Sequence, residues 1–163
     1  MTFPSPTGNP TFNRALASPR SLAAWGLVGY TALFLLFEFL KWLFGGGTFS
    51  GRSAGAGFLD LIIIAMPVAA VLLAAYVTPE LPWARLLALV AMLEYLAILF
   101  FGLITLLIGL GAVFDNVNSF ADVIGALRYL VLGFAALILA AIASYVSFRA
   151  YGKLGGRLPT MPT

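Results

Sequence analysis

Four long apolar stretches dominate this chain, separated by short segments rich in glycine, proline or polar residues. The stretches cover residues 22–44, 58–77, 83–111 and 122–151. A helix needs roughly 20 apolar residues to cross the hydrocarbon core of a bilayer. Each stretch reaches that length, so the pattern predicts four membrane-spanning helices.

The connecting segments indicate how the helices are joined. The glycine-rich segment over residues 45–57 predicts a flexible linker after the first helix. Pro79 and Pro82 enclose a tight turn, which predicts that the second and third helices form an antiparallel hairpin. Ser119 and Asp122 have the spacing of a capping box, with Asp in place of the preferred Glu. The predicted fold class is therefore all-α, an integral membrane four-helix antiparallel bundle.

The second helix contains an interior proline. Pro67 has no backbone N–H, so the helix should kink there and leave the carbonyl oxygen of Ile63 without its usual donor. Groups on neighbouring helices can satisfy such a freed carbonyl. Asp60 lies in the predicted first turn, where a carboxylate favours the positive end of the helix dipole.

The two ends of the chain are polar. Residues 1–21 are rich in Pro, Ser, Thr and Asn, which predicts a disordered N-terminus, and residues 152–163 predict a flexible tail. Arg20 followed by an apolar run could also begin a signal peptide. The run over residues 22–44 is longer than the short apolar region of a signal peptide, so a retained first helix is the preferred interpretation.

Composition supports a membrane protein and excludes several kinds of chemistry. The 163 residues are 62% hydrophobic and only 9% charged, whereas a soluble domain carries about 25% charged residues. The chain has no Cys and no His, which removes disulfides, thiolate ligands and the commonest general base. No phosphate loop, G-x-S-x-G motif or acid cluster for a metal is present. We therefore expect no enzyme activity, catalytic residue, cofactor or metal site.

The basic residues predict the orientation in the membrane. The net charge of +3 could suggest nucleic acid, but flanking charges that orient a membrane protein explain it better, so no nucleic-acid partner is expected. The side that holds both termini carries more cations than the other side. This predicts cytoplasmic termini in a multi-pass protein of the plasma (bacterial inner) membrane. The terminal side would hold Arg14, Arg20, Arg85, Arg149, Lys153 and Arg157, and the other side Lys41, Arg52 and Arg128.

Four charged residues are predicted to meet in the outer half of the bundle. Glu38 and Lys41 share a face near the end of the first helix, because they are three residues apart. Asp60 and Arg128 lie at a similar depth in the second and fourth helices. Their formal charges sum to zero, as is usual for buried charges in membranes. The preferred interpretation is an ion-paired cluster that fixes the bundle geometry, and the alternative is a site for a polar ligand or lipid headgroup.

Glu94 lies near mid-depth in the third helix. A charged side chain there costs at least a few kcal/mol. Tyr30 and Thr31 of the first helix lie at the same depth, so a neutral Glu94 could form a structural hydrogen bond with one of them. The alternative is a proton or cation relay, although no second carboxylate is expected at this depth.

The chain resembles small four-span actinobacterial membrane proteins through its Pro67-containing second helix, the hairpin over residues 76–85 and the run over residues 91–95. Its layout is also similar to MARVEL-type tetraspans, whose four helices are associated with membrane apposition or trafficking. The resemblance implies a non-enzymatic scaffold or a protein that binds a partner or lipid. The alternative is a small transporter or proton-coupled subunit that uses Glu94. The small residues of the helices suit internal packing better than a homo-oligomer interface, which is the other interpretation.

Overall fold

The computed structural model describes residues 19–77, 81, 83–115 and 117–155 and consists of helices with short connections. Four segments are long and apolar enough to cross a membrane, judged by length and composition, the second being Phe49–Ala75. That second segment is divided into a short helix, a 3₁₀ turn and a longer helix. In chain order the elements are α1 (Pro19–Phe44), α2 (Phe49–Ala54), the 3₁₀ turn Gly57–Leu59, α3 (Leu61–Ala75), α4 (Ala84–Asp115) and α5 (Phe120–Lys153).

The long helices alternate in direction. Arg20 near the start of α1 donates from Nη1 to the carbonyl oxygen of Val77, 2.9 Å away, just beyond α3. Arg85 at the start of α4 donates from Nη2 to the hydroxyl of Tyr151 near the end of α5, at 3.2 Å. These contacts bring two helix starts and two helix ends together at what we call the terminal end. The opposite end, which carries α2, is called the loop end.

The core consists of two clusters with different side chains. Small residues let the helices approach closely at the terminal end, whereas large aromatic and branched side chains fill the loop end. The terminal-end cluster consists of Ala24, Val28, Ala70, Val71, Ala74, Ala75, Leu81, Ala84, Leu87, Ala88, Ala91 and Ala150. The loop-end cluster consists of Leu35, Trp42, Phe58, Ile63, Ile64, Tyr95, Ile98, Ala140 and Ala143.

Tyr95 of α4 supports α3 next to its interior proline. The fully buried Tyr95 hydroxyl donates to the carbonyl oxygen of Ile64 at 2.6 Å and accepts from the N–H of Val68 at 3.0 Å. These backbone groups are four residues apart and flank Pro67, so the hydroxyl bridges one turn of the helix. A side chain from a neighbouring helix thus satisfies backbone groups at the proline, one residue along from the Ile63 carbonyl named in the prediction.

The helix boundaries differ from the predicted ones chiefly in the first connection. The segment predicted as a flexible linker contains the ordered helix α2, which packs against α4. The predicted capping box at Ser119 and Asp122 is confirmed, since each side chain accepts from the backbone N–H of the other residue. The helix α1 begins at Pro19 and α4 continues past Gly111 to Asp115. The predictions for residues 1–18, for most of the 78–82 turn and for the tail over 156–163 lie outside the described residues.

Candidate functional site

Glu38 is the centre of a hydrogen-bonded network at the loop end. Its side chain is buried, with 8% of the residue exposed. One carboxylate oxygen accepts from the N–H of Gly57 at 2.7 Å and also pairs with the ammonium of Lys41 at 3.0 Å. The Lys41 side chain is largely exposed, whereas the Gly57 contact is part-buried. Glu38 therefore ties the end of α1 to the start of the 3₁₀ turn.

Arg52 of α2 closes the other side of this network. Its Nε donates to the carbonyl oxygen of Trp42 at 2.9 Å, and Nη1 donates to the carbonyl oxygens of Gly45 and Gly47 at 2.7 and 2.9 Å. The last carbonyls of a helix have no partner within the helix, and a cation there also complements the helix dipole. Arg52 therefore caps α1 and holds α2 against its end.

Trp42 also belongs to this network. Its indole N–H donates to the hydroxyl of Ser53 at 2.8 Å, and its ring lies 5.1 Å from that of Phe49. Only 8% of the residue is exposed. Sequence reasoning did not identify Trp42, Ser53 or Arg52 as interacting residues. An arginine a few residues beyond a glycine-terminated helix is a signal that could have indicated the cap.

The structure brings together only part of the predicted four-residue cluster. Glu38 and Lys41 pair as the spacing predicted. Asp60 instead caps α3, because its side chain accepts from the N–H of Ile62 at 2.8 Å. Arg128 has no hydrogen bond or ion pair with any described residue and lies on α5 beside a separate cavity.

The cavity beside Arg128, which we call the Arg128 groove, has a volume of about 440 Å³. Arg128 and Leu132 are exposed at its mouth, so it opens on the outer surface of the helices. Apolar side chains from the 3₁₀ turn, α4 and α5 form most of its wall. The lining residues are Ser53, Ala56, Leu59, Thr105, Leu106, Gly125, Arg128, Tyr129, Leu132 and Gly133.

Glycines determine the shape of the groove. A Cβ atom on Gly133 would overlap the side chain of Leu106, and one on Gly109 would overlap the Tyr129 hydroxyl and the backbone of Ala54. Both positions therefore allow close contact between elements. Gly125 differs, because nothing lies within 4 Å of the position its Cβ would take. The space beside Gly125 is part of the open groove.

Glu94 is buried in the middle of α4 without a partner. Only 5% of the residue is exposed, and neither carboxylate oxygen has a hydrogen-bond partner among the described residues. The predicted bond to Tyr30 or Thr31 is not formed. The Thr31 hydroxyl donates to the carbonyl oxygen of Leu27 at 3.0 Å, and Tyr30 is half exposed and stacks on Phe34.

Each of the other three long helices has a buried hydroxyl residue or proline at the level of Glu94. Thr31 in α1, Pro67 in α3 and Ser147 in α5 are fully buried, and each lies along its helix between members of the two core clusters. The hydroxyls of Thr31 and Ser147 both donate to the carbonyl oxygen four residues earlier in their own helix. The layer is therefore more polar than either cluster, yet its hydroxyl donors are already used.

No protein-family model matches this chain, and no curated protein or solved structure is similar to it. The resemblances to actinobacterial four-span proteins and to MARVEL-type tetraspans gain no support from these comparisons. The structure itself supports four helices that are long and apolar enough to span a membrane, by length and composition.

Proposed function

We propose that this chain is a non-enzymatic protein of four transmembrane helices that binds a membrane lipid in the Arg128 groove. The supporting observation is an arginine that has no partner among the described residues and lies at the mouth of a cavity with apolar walls. An ionisable residue within a membrane-spanning helix is a candidate functional site, and an arginine there can bind a polar ligand. A lipid provides two groups that complement the groove, an apolar chain for its walls and a polar head for Arg128.

The location of the groove favours a lipid over a protein partner. The groove opens at Arg128, Gly125 and Leu132 on α5, and the long exposed face of this helix is apolar. A membrane lipid has direct access to such a face. A volume of about 440 Å³ suits part of one acyl chain and its head.

The charge distribution supports a plasma-membrane protein with both termini in the cytoplasm. Arg85 and Lys153 lie at the terminal end, where their cationic groups contact the rings of Tyr151 and Tyr76, respectively. Arg20 and Arg149 also lie at the terminal end, so four described cations are found there against three at the loop end, Lys41, Arg52 and Arg128. Cations favour the cytoplasmic side. On the resemblance to MARVEL-type tetraspans, lipid binding would serve membrane apposition or trafficking, with a membrane protein or a second copy of the chain as a further partner.

A proton-coupled transporter is the second candidate, and the unpartnered carboxyl of Glu94 favours it. Buried acids inside membranes commonly belong to proton pathways. The relay needs further groups along a path, and the Thr31 and Ser147 hydroxyls at this level already donate to backbone carbonyls. Proton flux into liposomes tests it: a flux that the parent supports and a normally melting Glu94→Gln variant loses would establish transport and displace lipid binding as the main function.

The lipid-binding proposal is tested by filling the groove at Gly125. The full chain is purified in mild detergent, and its retained lipids are counted by native mass spectrometry. Gly125→Leu places a side chain in open space inside the groove, so we expect loss of one retained lipid. Gly26→Leu on α1 is the matched control, because the Cβ position of Gly26 also has nothing within 4 Å and Gly26 does not line the Arg128 groove. Equal lipid retention by the two variants would refute the proposal.

A further inference from the structure

We infer that the lipid in the Arg128 groove is an anionic phospholipid, with its phosphate held by Arg128 and an acyl chain lying against the leucines of the wall. This inference rests on the proposed lipid binding and specifies the class of lipid. It follows from the unused donors of the groove, its charge and the depth of its groups.

The side-chain donors that line the groove fall into two used and two unused ones. The used donors are the Ser53 hydroxyl, which donates to the carbonyl oxygen of Phe49, and the Thr105 hydroxyl, which donates to that of Phe101. The Arg128 guanidinium and the Tyr129 hydroxyl make no hydrogen bond with any described residue. Guanidinium groups bind phosphate through two parallel hydrogen bonds, which suits them to this ligand better than a single point charge.

The charge of the groove selects against zwitterionic heads. Among the residues that the structure describes, no carboxylate lines the cavity. Glu38 pairs with Lys41, Asp60 caps α3 and Asp122 accepts from the start of α5, while Asp115 ends α4 and does not line the cavity. The ammonium of a zwitterionic lipid would thus enter a cationic groove without an anion to receive it. A head of net negative charge meets Arg128 without that cost.

The order of groups along α5 matches the polarity of a lipid. Arg128 lies eight residues after Phe120, which is about 12 Å from the helix start at 1.5 Å per residue. An arginine side chain at this depth can extend toward the interface and keep its charge near the headgroups. Leu132 and Gly133 lie one turn further from the loop end, and Leu106 packs beside them. The groove therefore has its cation toward the surface and its apolar wall toward the bilayer centre.

The test is lipid competition with the full chain. Protein in nanodiscs made of equal amounts of phosphatidylglycerol and phosphatidylcholine is extracted into mild detergent, and the retained lipids are identified by native mass spectrometry. We expect the parent to retain about ten phosphatidylglycerol molecules for each phosphatidylcholine. Arg128→Gln should lose this preference, and Arg128→Lys should keep part of it. Arg149→Gln, an exposed arginine on α5 outside the groove, is the control and should retain the preference.

The outcomes separate the two proposals. If the parent retains both lipids equally while Gly125→Leu still removes one lipid, the anionic class is wrong and lipid binding stands. If Gly125→Leu removes no lipid, both proposals fail. The selectivity of the parent decides the lipid class even if Arg128→Gln does not fold. A preference that survives Arg128→Gln would also overturn the assignment of the phosphate to this residue.

Discussion

The two buried glutamates of this protein have opposite surroundings. Glu38 accepts from the backbone N–H of Gly57 and pairs with Lys41. Glu94 is equally well buried, yet both of its carboxylate oxygens lack a partner among the described residues. The two residues are the same amino acid on apolar helices, so the difference arises from where along its helix each one lies.

Free backbone N–H donors occur at helix starts and in loops, not in helix interiors. Glu38 lies within two turns of the C-terminal end of α1, next to the start of the 3₁₀ turn, where the N–H of Gly57 donates to it. Glu94 lies in the interior of α4, where neighbouring backbone groups are used in helical hydrogen bonds. A buried charge without a partner is costly, and such a group becomes neutral instead. We therefore expect a charged Glu38 and an uncharged Glu94.

The largest effect should come from removing the carboxylate that has partners. Glu38→Leu leaves the N–H of Gly57 and the Lys41 ammonium without their acceptor, so we expect a loss of about 3 kcal/mol in unfolding free energy. Glu38→Gln is the control, because it keeps an acceptor for Gly57 and should cost less. Thermal melting in detergent measures both variants. Equal losses would show that the Gly57 hydrogen bond does not stabilise the bundle.

A smaller loss of unfolding free energy is expected from removing the Tyr95 hydroxyl, a hydrogen-bonded polar group near the depth of Glu94. Tyr95→Phe removes the hydroxyl that bridges Ile64 and Val68 beside Pro67, and we expect it to cost about 2 kcal/mol. Tyr145→Phe, at an exposed position of the same bundle, should leave the melting temperature unchanged. If the two variants melt alike, the bridge does not support the interrupted helix.

Replacing Glu94 should have the opposite sign. The carboxyl group makes no hydrogen bond that a substitution could remove, so Glu94→Leu should raise the unfolding free energy by about 1 kcal/mol. Glu94→Gln keeps a polar group without a partner and should melt like the parent. Destabilisation by Leu but not by Gln would reveal a hydrogen bond at Glu94. The surroundings of Glu94 would then resemble those of Glu38.

The smallest effect should come from the exposed half of the Glu38 network. The Lys41 side chain is 64% exposed, and exposed ion pairs contribute about 0.2–1 kcal/mol. Lys41→Gln should therefore lower the unfolding free energy by about 0.5 kcal/mol, and less at high salt. A loss as large as that of Glu38→Leu, measured by the same melting experiment, would place the main stabilisation in the ion pair.

The sequence predicts the four long apolar helices because their length and composition are local properties. The Glu38–Lys41 pair could also be predicted, since residues three apart share a helix face. The helix α2 and the cap by Arg52 could not be predicted, because a glycine-rich segment has little helical preference of its own. In the fold, hydrogen bonds from Trp42 to Ser53 and from Arg52 to the Trp42 carbonyl hold this segment against α1.

The same limit applies to the interior of the bundle. Depth along the helices placed Thr31 near the level of Glu94, but a hydrogen bond depends on helix rotation, which the sequence does not specify. Arg128 was assigned to the charged cluster by depth alone. Its position on α5 directs it instead to the groove shared with α4. Tyr95 was overlooked because an aromatic residue in an apolar helix gives no signal that its hydroxyl lies beside a proline.

Infrared spectroscopy of the protein in lipid at neutral pH tests the contrast between the two glutamates most directly. A protonated carboxyl has a C=O stretch that is separate from the bands of a carboxylate. We predict that the parent shows this protonated band, that Glu94→Gln abolishes it and that Glu38→Gln leaves it unchanged. A band that persists in Glu94→Gln, or one that disappears in Glu38→Gln, would contradict the claim that Glu94 is uncharged while Glu38 is charged.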